Sequence, residues 1–313
     1  MPALGFVVCR LKHFNAGGPY TPEAIGCHRR RRSLPSLAAR MGRTPDVWAR
    51  APSRTSAIVV TQHEPTKRVG FSRVDLQTGR RVPLVEEDKS YGDSDSLSFR
   101  LRASSDGSRI FFVAEDAQHP TDLWASDVDF RDPRRLSRIN PQLDRYRFGT
   151  SRLVQWRGMD GKVLRGALVL PTNYWAEGRY PLVVKVYGGA SLSNEVNRFG
   201  AEPGVGDLQL LATRGYAVLL PDTTLHPGRV ARDLAEAVMP GVDKVVELCI
   251  ADPERLGVMG HSFGGYNVAA LIAQTTRFRA AVASGGLYDL ISLYGQLGRD
   301  GDAKGLGMCE EGQ

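Results

Sequence analysis

The most constraining feature of this 313-residue sequence is a glycine-lined corner at residues 260–265, which read GHSFGG. An apolar run with β character at residues 255–259 leads directly into the corner, and an apolar run with helical character at residues 266–274 leaves it. A strand, a sharp turn and a helix in that order hold the serine of a G-x-S-x-G sequence in a strained, outward-facing position. Ser262 is therefore the candidate nucleophile.

The two glycines that flank this serine support the same interpretation. The absence of a side chain at Gly260 and Gly264 predicts that neighbouring backbone approaches these two positions closely. The N-terminus of the following helix would point toward Ser262 and favour negative charge that develops there. The alternative is a glycine-rich strand–helix turn in which Ser262 only caps the helix. The flanking strand and helix favour a nucleophile over a cap.

The second half of the chain alternates β and helical patterns from about residue 152. Strands alternating with helices predict an α/β fold with a parallel sheet wound by right-handed crossovers. The first two strands are predicted to form a hairpin around a turn at Asp160-Gly161. The predicted strands are 153–156, 163–170, 181–187, 216–220, 255–259 and 278–283, and the predicted helices are 208–214, 230–248 with a kink at Pro240, and 266–274.

The region from about residue 55 to 145 has a different pattern. Turn residues recur about every 8–12 positions without a helical period, which predicts all-β structure. The predicted strands are 57–61, 70–75, 82–85, 97–101, 110–113, 123–125 and 135–137. Their order resembles β-propeller blades, but only about two blades are represented and a closed propeller needs at least four.

Charge is concentrated at the start of the chain. Residues 1–44 carry eight Lys or Arg and one acid, so they account for the whole net charge of +7. The basic run 29–32 is predicted to belong to a solvated, disordered leader, with a nucleic-acid or membrane patch as the alternative. No apolar run is long enough to cross a bilayer, and no signal-peptide core is present, so a cytoplasmic location is favoured.

Cysteine and histidine limit the chemistry that the chain can perform. Four cysteines are scattered without C-x-x-C spacing, which predicts no zinc site and no disulfide framework, and no cofactor is expected. Serine nucleophiles need a base, usually a histidine oriented by an acid, but no histidine follows Ser262. Later acids are Asp289, Asp300 and Asp302.

Two histidines lie close enough to the corner in sequence to be considered as the base. His261 adjoins Ser262, and its side chain should leave the turn in a different direction. His226 precedes Ser262 in a His-Pro-Gly turn. A structural role is favoured for both, and His226 as base stays open because such triads are defined by geometry and not by chain order.

From about residue 152 to 297 the sequence resembles the catalytic domain of the prolyl oligopeptidase family of serine peptidases. The segments that carry the resemblance are GKVLRGALVLP at 161–171, PLVVKVYGG at 181–189, RGYAVLLPD at 214–222, DPERLGVMGHSFGGY at 252–266 and RFRAAV at 277–282. The resemblance implies an α/β-hydrolase domain, preceded by a propeller, that cleaves peptides through an acyl-enzyme.

The resemblance also implies roles for three residues. Ser262 would be the nucleophile, and the backbone N–H of Phe263 would be one donor to the oxyanion. Tyr187, in the YGG segment, would supply its hydroxyl as the second donor, with an aromatic side chain packed at a strand end as the alternative. The expected partner is a peptide substrate, with no nucleic acid and no membrane, and the oligomeric state stays open.

Departures from the family pattern shape the expected domain organisation. The predicted divisions are a basic leader at 1–50, partial propeller blades at 51–148, the first part of the catalytic domain at 149–297 and a foreign, unstructured tail at 298–313. A truncated or frameshifted gene product is expected, with impaired activity because the family's catalytic Asp and His lie further on. The alternatives are a non-catalytic fragment with an open sheet edge, or an esterase of the same fold.

Overall fold

The computed structural model of the chain describes residues 56–92, 101–200, 208–226 and 228–295. The predictions for the basic leader at 1–50 and the tail at 298–313 lie outside these residues, as does nearly all of the predicted strand at 97–101. The described residues divide into one compact unit that ends at Asp144 and a second that begins at Arg145.

The first unit is built from antiparallel strands, which confirms the all-β prediction. One sheet has the order β1-β2-β3, with β1 Ser56–Gln62, β2 Val69–Asp75 and β3 Arg81–Glu87. The other has the order β4-β6-β7-β8 with β5 also paired to β6, and its strands are β4 Ser90–Tyr91, β5 Arg102–Ala103, β6 Arg109–Glu115, β7 Asp122–Asp127 and β8 Arg134–Arg135. A 3₁₀ turn follows at Pro141–Arg145.

An aromatic cluster joins the two sheets of this unit. Phe71 of β2 is fully buried and stacks on Phe130, with ring centroids 4.3 Å apart. Tyr91 and Phe112 of the second sheet pack against the same ring at 4.8 and 5.8 Å. Aromatic pairs at these distances add to the stabilisation that burial of apolar surface already provides. The two sheets therefore share one core.

A buried carboxylate holds the edge of the second sheet. Asp122 accepts hydrogen bonds from the Ser137 hydroxyl (2.7 Å) and the Ile139 N–H (2.9 Å), and it forms an ion pair with Arg135. Burial of this carboxyl raises its pKa, but the hydrogen bonds and the charge of Arg135 outweigh burial and hold the pKa below its ordinary value of 3.8. Asp122 therefore stabilises the fold in its ionised form.

We expect Asp122→Asn to lower the free energy of unfolding by about 1–3 kcal/mol at pH 7, because it weakens a buried hydrogen-bond network. A lowered folded-state pKa contributes stability above the unfolded pKa, and the contribution is lost as the pH falls through the folded pKa. The difference from the parent chain should therefore shrink below about pH 4. Urea unfolding at pH 7 and pH 3, followed by tryptophan fluorescence, measures both effects.

Asp132→Asn is the matched control. This carboxylate also pairs with arginines, at 3.1 Å from Arg134 and 3.5 Å from Arg109, but its side chain is 44% exposed. Exposed ion pairs contribute little, so this variant should unfold like the parent. Equal effects of the two substitutions would contradict the role assigned to burial at Asp122.

The second unit is a six-stranded sheet in the order β14-β13-β11-β12-β10-β9. Its strands are β9 Ser151–Arg157, β10 Val163–Val169, β11 Tyr180–Lys185, β12 Ala217–Pro221, β13 Ala251–His261 and β14 Ala280–Ser284. The predicted parallel sheet is confirmed for β12, β11, β13 and β14. The predicted β9–β10 hairpin is also present and joins that sheet by antiparallel pairing of β10 with β12.

Helices cover both faces of this sheet. The helices of this unit are α1 Leu208–Ala212, α2 Val230–Glu247, α3 Phe263–Ile272 and α4 Leu290–Gly295, with a 3₁₀ turn at Leu192–Asn197. Leu219 of β12 belongs to the cluster packed under α2 and α3, whereas the next residue, Leu220, belongs to the cluster packed under α1. Burial on both faces explains why β12 is apolar without interruption.

Helix α2 continues through Pro240 as a single helix. Proline has no N–H, so the carbonyl four residues earlier, on Glu236, loses its helical donor. The N–H of Met159, in the β9–β10 turn, approaches this carbonyl at 3.4 Å. The carbonyl of the next helical residue, Ala237, accepts a hydrogen bond from the indole N–H of Trp156 at 3.0 Å. The hairpin is thereby anchored where the helix is weakest.

Strand β14 is the least covered part of the sheet. All five of its residues are exposed, including Val282 at 57%, although parallel strands are normally buried on both faces. Among the described residues β14 pairs with β13 alone. Within the same residues, none of the helices combines the length and the apolar character that a bilayer crossing requires.

Candidate active site

The predicted strand, corner and helix are all present around Ser262. Strand β13 ends at His261, α3 begins at Phe263, and Ser262 lies between them with φ 57° and ψ −123°. A positive φ is uncommon for a residue with a side chain and marks local backbone strain. Two hydrogen bonds hold the strained residue: its N–H donates to the Ser284 carbonyl and its carbonyl accepts the Gly265 N–H, both at 2.9 Å.

The flanking glycines are required by close backbone contacts, as predicted. A Cβ on Gly260 would lie 2.2 Å from the Gly264 carbonyl oxygen, and a Cβ on Gly264 would lie 2.5 Å from the Val186 carbonyl oxygen. Backbone atoms cannot rotate away as the end of a side chain can. The corner therefore tolerates no side chain at either position.

The structure brings Tyr187 to the same corner. Val186, which follows β11, donates its N–H to the Met259 carbonyl at 2.9 Å, so the chain runs beside β13 up to the turn. The Tyr187 ring then meets the Phe263 ring edge-on, with centroids 6.0 Å apart. Tyr187 is 40% exposed. All three residues singled out from the sequence thus lie at the carboxyl ends of adjacent strands.

Phe263 is placed to offer its backbone N–H. It is the first residue of α3, and the first four N–H groups of a helix have no partner within the helix. The same end of the helix carries the positive end of the helix dipole. An anion formed next to Ser262 would therefore meet donors and a favourable field.

Two residues that the sequence analysis did not single out contact the Tyr187 segment. Thr223, just after β12, hydrogen-bonds the backbone of residues 187 and 189. Asn267, inside α3, is fully buried and accepts the Gly188 N–H at 2.6 Å. The one signal available in the sequence was that Asn267 is a polar residue within the apolar segment FGGYNVAALI.

The histidines near the corner have partners other than Ser262. His261 directs Nδ1 toward the Ser284 hydroxyl at 3.2 Å, consistent with its predicted departure from the turn. His226 places Nδ1 2.9 Å from the carboxylate of Asp233, whose side chain is 5% exposed. No histidine among the described residues hydrogen-bonds the Ser262 hydroxyl.

The later acids do not complete the site within the described residues. Asp289 binds the hydroxyl and N–H of Ser292 at the start of α4, and these hydrogen bonds lower its pKa. Asp300 and Asp302 lie outside the described residues. In the part of the chain that the structure describes, no three His, Cys, Asp or Glu residues are placed to hold a metal ion, and Cys249 is an exposed free thiol.

A parallel sheet whose strand ends in a strained serine, followed at once by a helix, defines the α/β-hydrolase class. Residues 206–302 match the model of the prolyl oligopeptidase family. This match includes the corner and the helix that follows it.

Individual proteins agree with this assignment. The chain is 26% identical over 228 residues to the uncharacterized peptidase YuxL of Bacillus subtilis, covering 66% of this chain and 34% of that protein. It is 28% identical over 235 residues to dipeptidyl-peptidase 5 of Porphyromonas gingivalis, covering 71% and 32%. The chain thus spans about a third of the length of these curated relatives.

A solved structure shares the fold. The acylaminoacyl peptidase of Pyrococcus horikoshii superposes with a TM-score of 0.59 at 18% sequence identity, covering 78% of this chain and 38% of that one. The order of the fold, antiparallel strands first and an α/β sheet second, is therefore that of α/β-hydrolase peptidases with a propeller-like N-terminal region.

Proposed function

We propose that this chain carries the nucleophile and the oxyanion donors of a serine peptidase that cleaves peptide bonds through an acyl-enzyme on Ser262. The observation that carries the proposal is the positive φ of Ser262 at the start of α3, with Tyr187 beside it. A strained serine at a helix N-terminus is what acyl transfer requires, because the hydroxyl projects and the developing anion is stabilised. The peptide substrate is proposed from the family and from relatives named as peptidases.

In the proposed reaction the Ser262 oxygen attacks the scissile carbonyl carbon and a base takes the hydroxyl proton. The carbonyl oxygen becomes an oxyanion that accepts hydrogen bonds from the Phe263 N–H and the Tyr187 hydroxyl. The intermediate then collapses: the C–N bond breaks, the leaving amine receives the proton, and the acyl group stays on Ser262. Water hydrolyses this ester in the second half of the reaction.

In the family's chain order the histidine that acts as base follows the nucleophile. No histidine follows Ser262, and the described His226 is engaged with Asp233. We therefore propose that the chain by itself turns substrate over very weakly. A neutral hydroxyl without a base is a poor nucleophile.

The test asks two separate questions: whether residue 262 is the nucleophile, and whether the chain provides a base that activates it. We expect a fluorophosphonate probe to label Ser262 only slowly at neutral pH. We expect Ser262→Cys to react faster with p-nitrophenyl acetate, because a few per cent of a thiol is ionised near pH 7 without a base. The burst of p-nitrophenolate reports formation of the acyl-enzyme.

Ser262→Ala is the control, and it also subtracts acylation at Cys249 and the other cysteines. A burst no larger in Ser262→Cys than in Ser262→Ala would overturn the proposed nucleophile. Rapid fluorophosphonate labelling of the parent chain, absent from Ser262→Ala, would instead show that a base is present and would overturn the proposed impairment. Cleavage of p-nitrophenyl esters without any acylation by activated peptide esters would contradict the peptide substrate.

A further inference from the structure

The three residues from Tyr187 to Gly189 are held from two sides by side chains of other elements. We infer that Thr223 and Asn267 are positioning residues that set where the Tyr187 hydroxyl lies relative to Ser262. The inference rests on the proposed role of Tyr187 as an oxyanion donor and goes beyond it, because neither residue would touch the substrate. It identifies how this chain fixes a donor that lies on a loop.

Thr223 uses one hydroxyl for two hydrogen bonds. The hydroxyl donates to the Tyr187 carbonyl at 3.1 Å and accepts the Gly189 N–H at 3.0 Å. Thr223 is 4% exposed, so water competes poorly for either bond. The Thr223 N–H also donates to the Ala190 carbonyl at 3.1 Å. The end of β12 is thereby bonded to the backbone on both sides of Gly188.

Asn267 holds the residue between these two contacts. Its Oδ1 accepts the Gly188 N–H at 2.6 Å, and its side chain is fully buried. Among the described residues its Nδ2 has no hydrogen-bond partner. A buried polar group with an unsatisfied donor is costly. We infer that Asn267 occupies this otherwise apolar helix because of its hydrogen bond with Gly188.

The hydrogen bonds from Thr223 and Asn267 fix the position of the Tyr187 segment relative to Ser262. Asn267 lies on α3, which begins one residue after Ser262, so its bond to Gly188 ties the Tyr187 segment to the nucleophile's own helix. Gly188 packs closely against both side chains, because a Cβ there would lie 2.8 Å from Leu225 Cδ1 and 3.0 Å from Asn267 Oδ1. A donor held in place before reaction needs no reorganisation when the oxyanion forms.

Thr223→Val and Thr223→Ser form the matched pair that tests the inference. In the Ser262→Cys chain, we expect Thr223→Val to slow acylation by p-nitrophenyl acetate about tenfold, since small displacements of positioned groups cost rate steeply. Thr223→Ser keeps the hydroxyl and should restore the rate. In a Tyr187→Phe background Thr223→Val should have almost no further effect on the acylation rate, because Thr223 is inferred to act only by positioning the Tyr187 hydroxyl.

A second variant and a second measurement guard against a loss of folding, and the exchange measurement does not depend on the chemistry. Asn267→Leu removes the acceptor for Gly188 from the other side, and we expect the same slowing. Hydrogen–deuterium exchange of peptides spanning residues 186–190 should accelerate in Thr223→Val and Asn267→Leu but not in Thr223→Ser, with unchanged exchange in β9 and β10.

The outcomes separate this inference from the proposed function. Unchanged exchange at residues 186–190, or equal slowing by Thr223→Val with and without Tyr187, would overturn the positioning role while leaving the nucleophile intact. Failure of the Ser262→Cys chain to form an acyl-enzyme, with the exchange pattern as expected, would instead identify the proposed function as the part that is wrong.

Discussion

Gly260→Ala is expected to lower the free energy of unfolding by about 1–3 kcal/mol, the usual cost of forcing an extra methyl group into a packed site. The new Cβ would lie 2.2 Å from the Gly264 carbonyl oxygen, so the corner must open. In the Ser262→Cys chain, acylation by p-nitrophenyl acetate should fall by at least about 100-fold, because displacement of the nucleophile by about 1 Å has effects of that size.

Gly257→Ala, three residues earlier on β13, is the matched control. Its Cβ would meet its nearest neighbour, the Ala280 carbonyl oxygen, at 3.6 Å, which is an ordinary contact. Alanine is favoured over glycine in a strand by roughly 0.5–1 kcal/mol, so this variant should be as stable as the parent or slightly more stable. Thermal unfolding and the acylation burst measure both variants. A Gly260→Ala chain that melts and acylates like Gly257→Ala would contradict the close-packed corner.

Tyr187→Phe is expected to slow acylation of the Ser262→Cys chain by about 100-fold, the typical effect of removing one oxyanion donor. The substitution deletes only the hydroxyl. The ring contact with Phe263, at 6.0 Å between centroids, is kept, so the thermal unfolding midpoint should change little. The measurement is the rate of the p-nitrophenolate burst at saturating ester.

Tyr266→Phe separates this effect from a general effect of the aromatic cluster. Tyr266 also contacts Phe263, with stacked rings 5.6 Å apart, but it lies inside α3 beyond the corner. We expect its acylation rate to stay within about twofold of the parent, because it supplies no donor to the oxyanion. If both tyrosine variants acylate at the parent rate, the second donor is not Tyr187 and the Phe263 N–H is the only one of the two proposed donors left.

The β and α patterns of the second unit were predictable because burial repeats along the chain. Strands β11 and β12 read as apolar runs; β12 is buried throughout and β11 is buried at Leu182 and Val184. The Asp160-Gly161 turn forms the β9–β10 hairpin. Boundaries were less predictable. Strand β13 begins at Ala251, four residues before its predicted start, because Ala251 pairs with Tyr180 across a register shift that leaves no mark on the local pattern.

The part of the candidate site that consecutive residues form was predictable from the sequence. The part that depends on residues far apart along the chain was not. Ser262, Phe263 and their glycines form one continuous segment, so their spacing alone indicates a corner. Thr223 and Asn267 act on the Tyr187 segment from 36 and 79 residues away along the chain. No periodicity or composition links residues so far apart, and only the folded sheet brings them into contact.

The sequence by itself determined that residues 260–265 form a strained corner, since only glycine tolerates the backbone approach on either side of Ser262 and only a strand and a helix lead into and out of it. The tertiary structure alone decided which groups meet Ser262. Parallel pairing of β11 with β13 carries Tyr187 to the corner, and side chains from β12's end and α3 fix it there. The physical reason is that backbone strain is a property of consecutive residues, whereas a hydrogen bond depends on distance in space.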